Sequence, residues 1–180
     1  MEPNNCTNSI HYSGRWWPLS ISIGRNKSES QSNGPCKTTI QGIAIGLETH
    51  IKGSFEGLCI GGKCIVEGDA TGVMLSGVNK SSGDITGFQL GVITNQAQRN
   101  ISGFQLGLVN YALGNVSGFQ IAGCNFAGQR THGVQIGFVT NITHQTDSLF
   151  QLGLFNRQAQ CNWVNPLFSV PGYCLFGAKQ

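Results

Sequence analysis

His50, His132 and His144 are the side chains best suited to acid–base or metal chemistry, with Glu48 and Asp147 close to two of them along the chain. They fall at different points of the sequence pattern described below, and no recognised ligand or triad spacing joins them, so they read as ordinary surface residues. The seven cysteines, Cys6, Cys36, Cys59, Cys64, Cys124, Cys161 and Cys174, include no C-x-x-C pair. Neither a zinc framework nor a redox motif is therefore expected. Reduced structural thiols are the expected state, with a partial disulfide set as the alternative. Cys59 and Cys124 occupy different columns of the repeat, and a cysteine nucleophile would need a base beside it, so packing is the expected role of both. Gly61-Gly62-Lys63 lacks the spacing of a phosphate loop, and Cys64 stands where that motif places Ser or Thr. The triplets Asn100-Ile101-Ser102 and Asn141-Ile142-Thr143 fit the glycosylation pattern but arise from the repeat itself. No catalytic residue, metal site or cofactor is expected, and the chain reads as a non-enzyme.

The elements that would position any site have to be built from an unusual composition. The 180 residues include 26 glycines, and only 11% are charged, against roughly 25% in ordinary soluble domains. Surface polarity must then come from Ser, Thr, Asn and Gln, which suits stacked strands better than solvent-facing helices. The net charge is +3, and the basic residues are scattered singly. Nucleic acid is not an expected partner, since that would need a basic stripe with interleaved aromatics. The opening Met1-Glu2-Pro3-Asn4-Asn5-Cys6 has neither a basic start nor an apolar stretch, so no conventional signal peptide is read there. The expected location is the cytoplasm, or outside the cell by a specialised secretion system.

A repeat dominates the chain. Gly87-Phe88-Gln89-Leu90-Gly91, Gly103-Phe104-Gln105-Leu106-Gly107, Gly118-Phe119-Gln120-Ile121-Ala122, Gly133-Val134-Gln135-Ile136-Gly137 and Phe150-Gln151-Leu152-Gly153 are versions of one pentad, with glutamines 16, 15, 15 and 16 residues apart. Steps of 15 towards the N-terminus reach Met74, Cys59 and Ala44, each between apolar neighbours. A second column, Asn79, Asn95, Asn110, Asn125, Asn141 and Asn156, keeps the same register. Thr94 and Thr140 mark the two longer units, where a bulge just before the Asn would absorb one residue. An apolar column, Ile40, Phe55, Ala70, Ile85, Ile101 and Val116, precedes the Gln column by four residues and lapses to Thr131 and Asp147. The glycine between these columns is expected to turn a corner. Alternation within the pentad has period two, which is strand rather than helix.

These units predict an all-β repeat protein, a β-solenoid of 15- to 16-residue coils in which like residues stack at about 4.8 Å. The alternative is an eight-stranded up-and-down barrel or meander. Recurring amides favour the solenoid, because side-chain amides pair in register only when like sits over like. Residues 1–38 are expected to form an N-terminal capping strand and polar loop, with Arg25 to Pro35 as the loop. Residues 39–160 form the array, and residues 161–180 a C-terminal cap. Pro166, 15 residues beyond Gln151, would belong to a degenerate last unit at an edge.

Gly103-Phe104-Gln105-Leu106-Gly107-Leu108-Val109-Asn110-Tyr111-Ala112 resembles the repeats of a bacterial surface-repeat family best known from leptospires and also found in chlamydia-like bacteria. The resemblance extends to Trp17-Pro18-Leu19-Ser20-Ile21-Ser22-Ile23 and to Pro166-Leu167. It implies a surface or secreted location and carries no biochemical activity with it.

Gln89, Gln105, Gln120, Gln135 and Gln151 are expected to form a regular outward ridge opposite the Phe and Leu columns. That ridge either satisfies its own amides or docks a partner. Asn79, Asn95, Asn110, Asn125, Asn141 and Asn156 are expected to form a structural ladder. The resulting reading is a surface or secreted interaction module with a protein partner, with membrane association and oligomer formation both open. A membrane-embedded barrel, ice binding and an enzyme sited in the caps stand behind it.

Overall fold

The computed structural model describes residues 10–12, 21–29, 37–146, 150–158 and 165–169. The strands are β1 (Ile10–Tyr12), β2 (Ile21–Glu29), β3 (Lys37–Ile51), β4 (Ser54–Val66), β5 (Ala70–Ser81), β6 (Ile85–Ala97), β7 (Ile101–Ala112), β8 (Val116–Thr146), β9 (Phe150–Gln158) and β10 (Asn165–Ser169). From β3 to β9 each strand pairs in parallel with the next, and like pairs with like: Gln89 with Gln105, Asn95 with Asn110, Gly87 with Gly103. This is a β-solenoid of about eight coils spaced about 15 residues apart. A barrel meander, which needs antiparallel neighbours, is thereby overturned.

Each coil is folded by its glycines. The column Gly42, Gly57, Gly72, Gly87, Gly103, Gly118 and Gly133 has φ between +120° and +148°, a range that side chains with a Cβ avoid. Space forbids a Cβ as well, since one at Gly103 would stand 2.0 Å from the carbonyl oxygen of Gly87 in the preceding coil. The opposite closing turns are bound across coils. The amide of Ile101 donates to the Asn115 carbonyl at 2.8 Å, and that of Ile85 to Asn100 at 2.8 Å.

The two longer coils absorb their extra residue slightly earlier than expected. The register shifts lie between Gly91 and Thr94 and between Gly137 and Thr140. Thr94 and Thr140 themselves stay paired, with Val109 and Phe155. Val92, Ile93, Phe138 and Val139 carry the bulges, and their side chains point outward, so the interior columns are undisturbed.

At both ends the described strands reverse direction. β1 and β2 pair antiparallel with β3, as Ile10 with Ile51 and Ile21 with Ile45. β10 pairs antiparallel with β9, as Asn165 with Asn156 and Pro166 with Phe155. Two expectations are corrected here. Residues 25–29 continue β2 rather than belonging to a loop, and residues 30–36 lie outside the described residues. Pro166 is not the Gln151 position of a ninth coil, because the chain has turned back and Ser169 is the residue that faces Gln151. These antiparallel strands lie along the edges that parallel stacking would leave unpaired. Trp16 to Ser20, Asp147, and the segments 159–164 and 170–180 fall outside the described residues.

Candidate functional site

The coil interior is narrow, and its occupants decide what the exterior can do. In one coil Ile101, Gln105, Asn110 and Ala112 all point inward and are buried. The Gln column is therefore inside. Gln89, Gln105, Gln120, Gln135 and Gln151 are 0–1% exposed, and an outward docking ridge made of them is excluded.

Burial of so many amides is tolerable only if each is satisfied, and stacking does this. The Gln105 side-chain amide donates to Gln89 Oε1 at 2.7 Å, Gln120 to Gln105 at 2.8 Å, Gln135 to Gln120 at 2.7 Å, and Gln151 to Gln135 at 2.6 Å. At the N-terminal end of this ladder Gln89 meets the Met74 sulfur at 3.3 Å.

The Asn column forms the expected structural ladder with the opposite polarity. Asn79 donates forward to Asn95, Asn95 to Asn110, Asn110 to Asn125, Asn125 to Asn141 and Asn141 to Asn156, at 2.8 to 3.0 Å. The same side chains also donate to main-chain carbonyls of the next coil, such as Asn95 to Leu106 at 2.9 Å. Two amide columns thus run through the core in opposite senses. Among the described residues, only Thr49 Oγ1 and Gln151 Oε1 are buried side-chain polar atoms without a partner. Gln151 ends its ladder. Thr49 lies under Cys64, whose sulfur offers no hydrogen.

That sulfur is bonded to Cys59, across a sequence separation of 5. The expectation of reduced thiols is corrected for this pair. Cys59 and Cys64 stand in the columns that hold Gln and Asn in later coils, so a covalent link replaces the amides where the core turns apolar towards Ala44, Ile51 and Val66. Cys124 is free and partly exposed on the outside of its coil. The other four cysteines lie outside the described residues.

With the amides inside, the alternating residues point outward. Ile43, Leu58, Val73, Phe88, Phe104, Phe119, Val134 and Phe150 form one exterior column. Ile45, Ile60, Leu75, Leu90, Leu106, Ile121, Ile136 and Leu152 form its neighbour on the same face. All sixteen are apolar, and none is buried. Their partial burial comes from contact with their own copies. Phe88 and Phe104 stack with centroids 5.2 Å apart, and Phe104 and Phe119 lie at 6.4 Å. At the bordering corner the apolar surface continues through Leu47, Leu108 and Phe138, exposed by 70%, 61% and 73%. Two columns about 13 Å wide together, along eight coils at about 4.8 Å each, make a flat patch of about 500 Å² before the corner side chains are added. The two columns alone thus lie towards the upper end of the roughly 300–600 Å² of the largest apolar patch on an ordinary monomer, and the corner side chains extend them.

The other surfaces are mixed. Glu48 pairs with Lys63 at 3.0 Å and His50 with Glu67 at 2.8 Å, while Lys80 and Gln96 share the column of Tyr111 and Phe126, whose rings stack at 4.7 Å. Asp84, Asn100 and Asn115 form an external chain in which each side-chain oxygen accepts the main-chain amide of the next coil. Asn100 and Asn141 of the two N-x-[ST] triplets are thus both held by the stacking. His50, His132 and His144 lie in three separate columns, as their sequence positions implied, and no group of three metal-ligating side chains forms among the described residues.

The Phe/Leu face was visible in the sequence as a pattern but assigned to the wrong side. Ile101 and Gln105 have the same parity along one strand, so an inward Ile101 carries Gln105 inward too and turns Phe104 and Leu106 out. No protein-family model, curated protein or solved structure matches the chain.

Proposed function

We propose that the chain is a non-enzymatic interaction module of a bacterium, displayed on the surface or secreted, and that it makes its contact through the Phe/Leu face. One observation carries the reading: sixteen outward side chains over eight coils are apolar without interruption, on a protein whose other faces hold charges and amides. Apolar surface of this extent is costly to leave in water, at about 25 cal/mol per Å², and continuous exposed patches mark contact sites. Stacked coils also make the face rigid, so little ordering entropy opposes docking. The surface or secreted location rests on the resemblance of the repeats to the bacterial surface-repeat family.

The test is photo-crosslinking in the cell that makes the protein. A benzophenone amino acid at Phe104, on the face, is expected to give discrete adducts, whereas the same probe at the exposed Arg99, in the turn on the far side of the coil, is expected to give none. Absence of adducts from Phe104, Phe119 and Leu106 alike defeats the reading.

A further inference from the structure

We propose that the occupant of the Phe/Leu face is a second copy of this chain, packed face to face in a closed dimer. This rests on the reading of that face as the contact surface and names its partner.

Size permits it first. A patch of about 500 Å² on each copy gives about 1,000 Å² in all, the smallest area expected of a specific interface, and the exposed corner side chains Leu47, Leu108 and Phe138 add to it. Charge agrees next. The face presents no ionic group for an oppositely charged protein to meet. The polar column along one border runs through Gln41, Glu56, Thr71, Thr86, Ser102 and Ser117, with Glu56 as its ionic group and Arg25 of β2 paired beside Gln41 at its N-terminal end. It therefore lacks the continuous cationic rim with which amphipathic surfaces hold anionic lipid. A surface of this kind is complementary to another apolar, flat β-face, and the chain itself supplies one.

Side-chain volume also matches in one orientation. With the two solenoids antiparallel, the two-fold axis lies in the interface between the coils of Phe88 and Phe104. Phe88 of one copy then stands over Phe104 of the other, Val73 over Phe119, and Ile43 over Phe150. Large residues meet small ones away from the centre, which lets two flat sheets approach to about 10 Å without overpacking. Such a contact is isologous and uses the whole face of both copies, so it closes at two. Growth end to end is opposed by the antiparallel strands β1, β2 and β10, which already pair with the outer edges of β3 and β9.

The experiment is sedimentation velocity and light scattering on the full chain in plain buffer from about 1 to 50 µM, with the variants Phe104→Glu and Ser117→Glu. A particle of twice 19.2 kDa is expected for the wild type and for Ser117→Glu. Phe104→Glu is expected to give 19.2 kDa with an unchanged circular dichroism spectrum, because its side chain lies outside the core. Should that variant fail to fold, a photoprobe at Phe104 in the purified wild-type sequence decides. The dimer predicts an adduct of twice the chain mass joined near Phe88 of the other copy. A wild type of single mass throughout overturns the dimer, as does a dimer that persists in folded Phe104→Glu. A cellular photoprobe at Phe104 that captures another protein or lipid in place of a second copy overturns the dimer while leaving the docking reading intact. No adduct of any kind sinks both.

Discussion

Asn110 shares its two side-chain N–H bonds among the Asn125 side-chain oxygen at 3.0 Å and the carbonyls of Ile121 and Gln105 at 3.2 and 3.3 Å, while its own oxygen accepts from Asn95. One side chain therefore joins three coils. Removing it leaves the Asn125 oxygen short of a donor and opens a small void, both in a dry interior. Asn110→Ala is expected to lower unfolding free energy by about 2–4 kcal/mol. Asn110→Asp should cost at least as much, since a buried carboxylate would face the Asn125 oxygen and two carbonyls without a donor of its own. Leu108→Ala, on the exposed corner, should cost under about 1 kcal/mol. Urea titration reads all three, and equal midpoints for Asn110→Ala and Leu108→Ala would refute the claim that the amide columns hold the core. At this scale the sequence was only half legible. The recurrence of Gln and Asn identified ladders, but alternation alone does not say which parity faces inward. Hydrophobicity points the wrong way when the interior is narrow and its amides are paired. The Cys59–Cys64 bond was illegible for a related reason: a gap of five residues acquires meaning only once a corner between them brings both side chains into one cavity.

At the scale of the coil, register is what the chain protects. The glycine column, the Gln column and the Asn column keep their partners through coils of 15 and 16 residues because the extra residue sits in Val92-Ile93 or Phe138-Val139, outside every interior column. The position of this bulge was legible to within two residues, since the spacing of the amide columns shows which stretch lengthens. The antiparallel turn of β10 was not, because a 15-residue step to Pro166 carries no information about strand direction. Deleting Val92 converts its unit to the form of Gly107-Leu108-Val109-Asn110 and leaves all buried columns aligned. The deletion is expected to shift stability by no more than about 1 kcal/mol. Deleting Leu106 also removes one residue, but inside the pentad, so every following side chain of that strand changes face until the next corner. That variant is expected to lose its cooperative unfolding transition. Comparable urea curves for the two deletions would show that register is not held by the columns.

The whole molecule is a stack whose units touch only their neighbours, so its properties should scale with coil number. Excision of Ile101–Asn115 removes one 15-residue coil and joins Asn100 to Val116. Gln89 then meets Gln120, Asn95 meets Asn125 and Phe88 meets Phe119, so each column remains unbroken. The shortened chain is expected to keep its β-sheet spectrum and a single unfolding transition, at lower urea because one interface between coils is gone. Small-angle scattering should report a rod shorter by about 4.8 Å. The docking face shrinks in the same step, by about 60 Å² per copy, and self-association should weaken while remaining two-fold. Excision of only Ile101–Gly107 removes half a coil and sets Gln and Asn columns against unrelated residues. That variant should fail to fold, although it deletes fewer residues than the one that folds. If instead the half-coil excision proves the more stable of the two, the protein is not held together by stacked like residues, and the rigid apolar face that depends on that stacking has no structural basis.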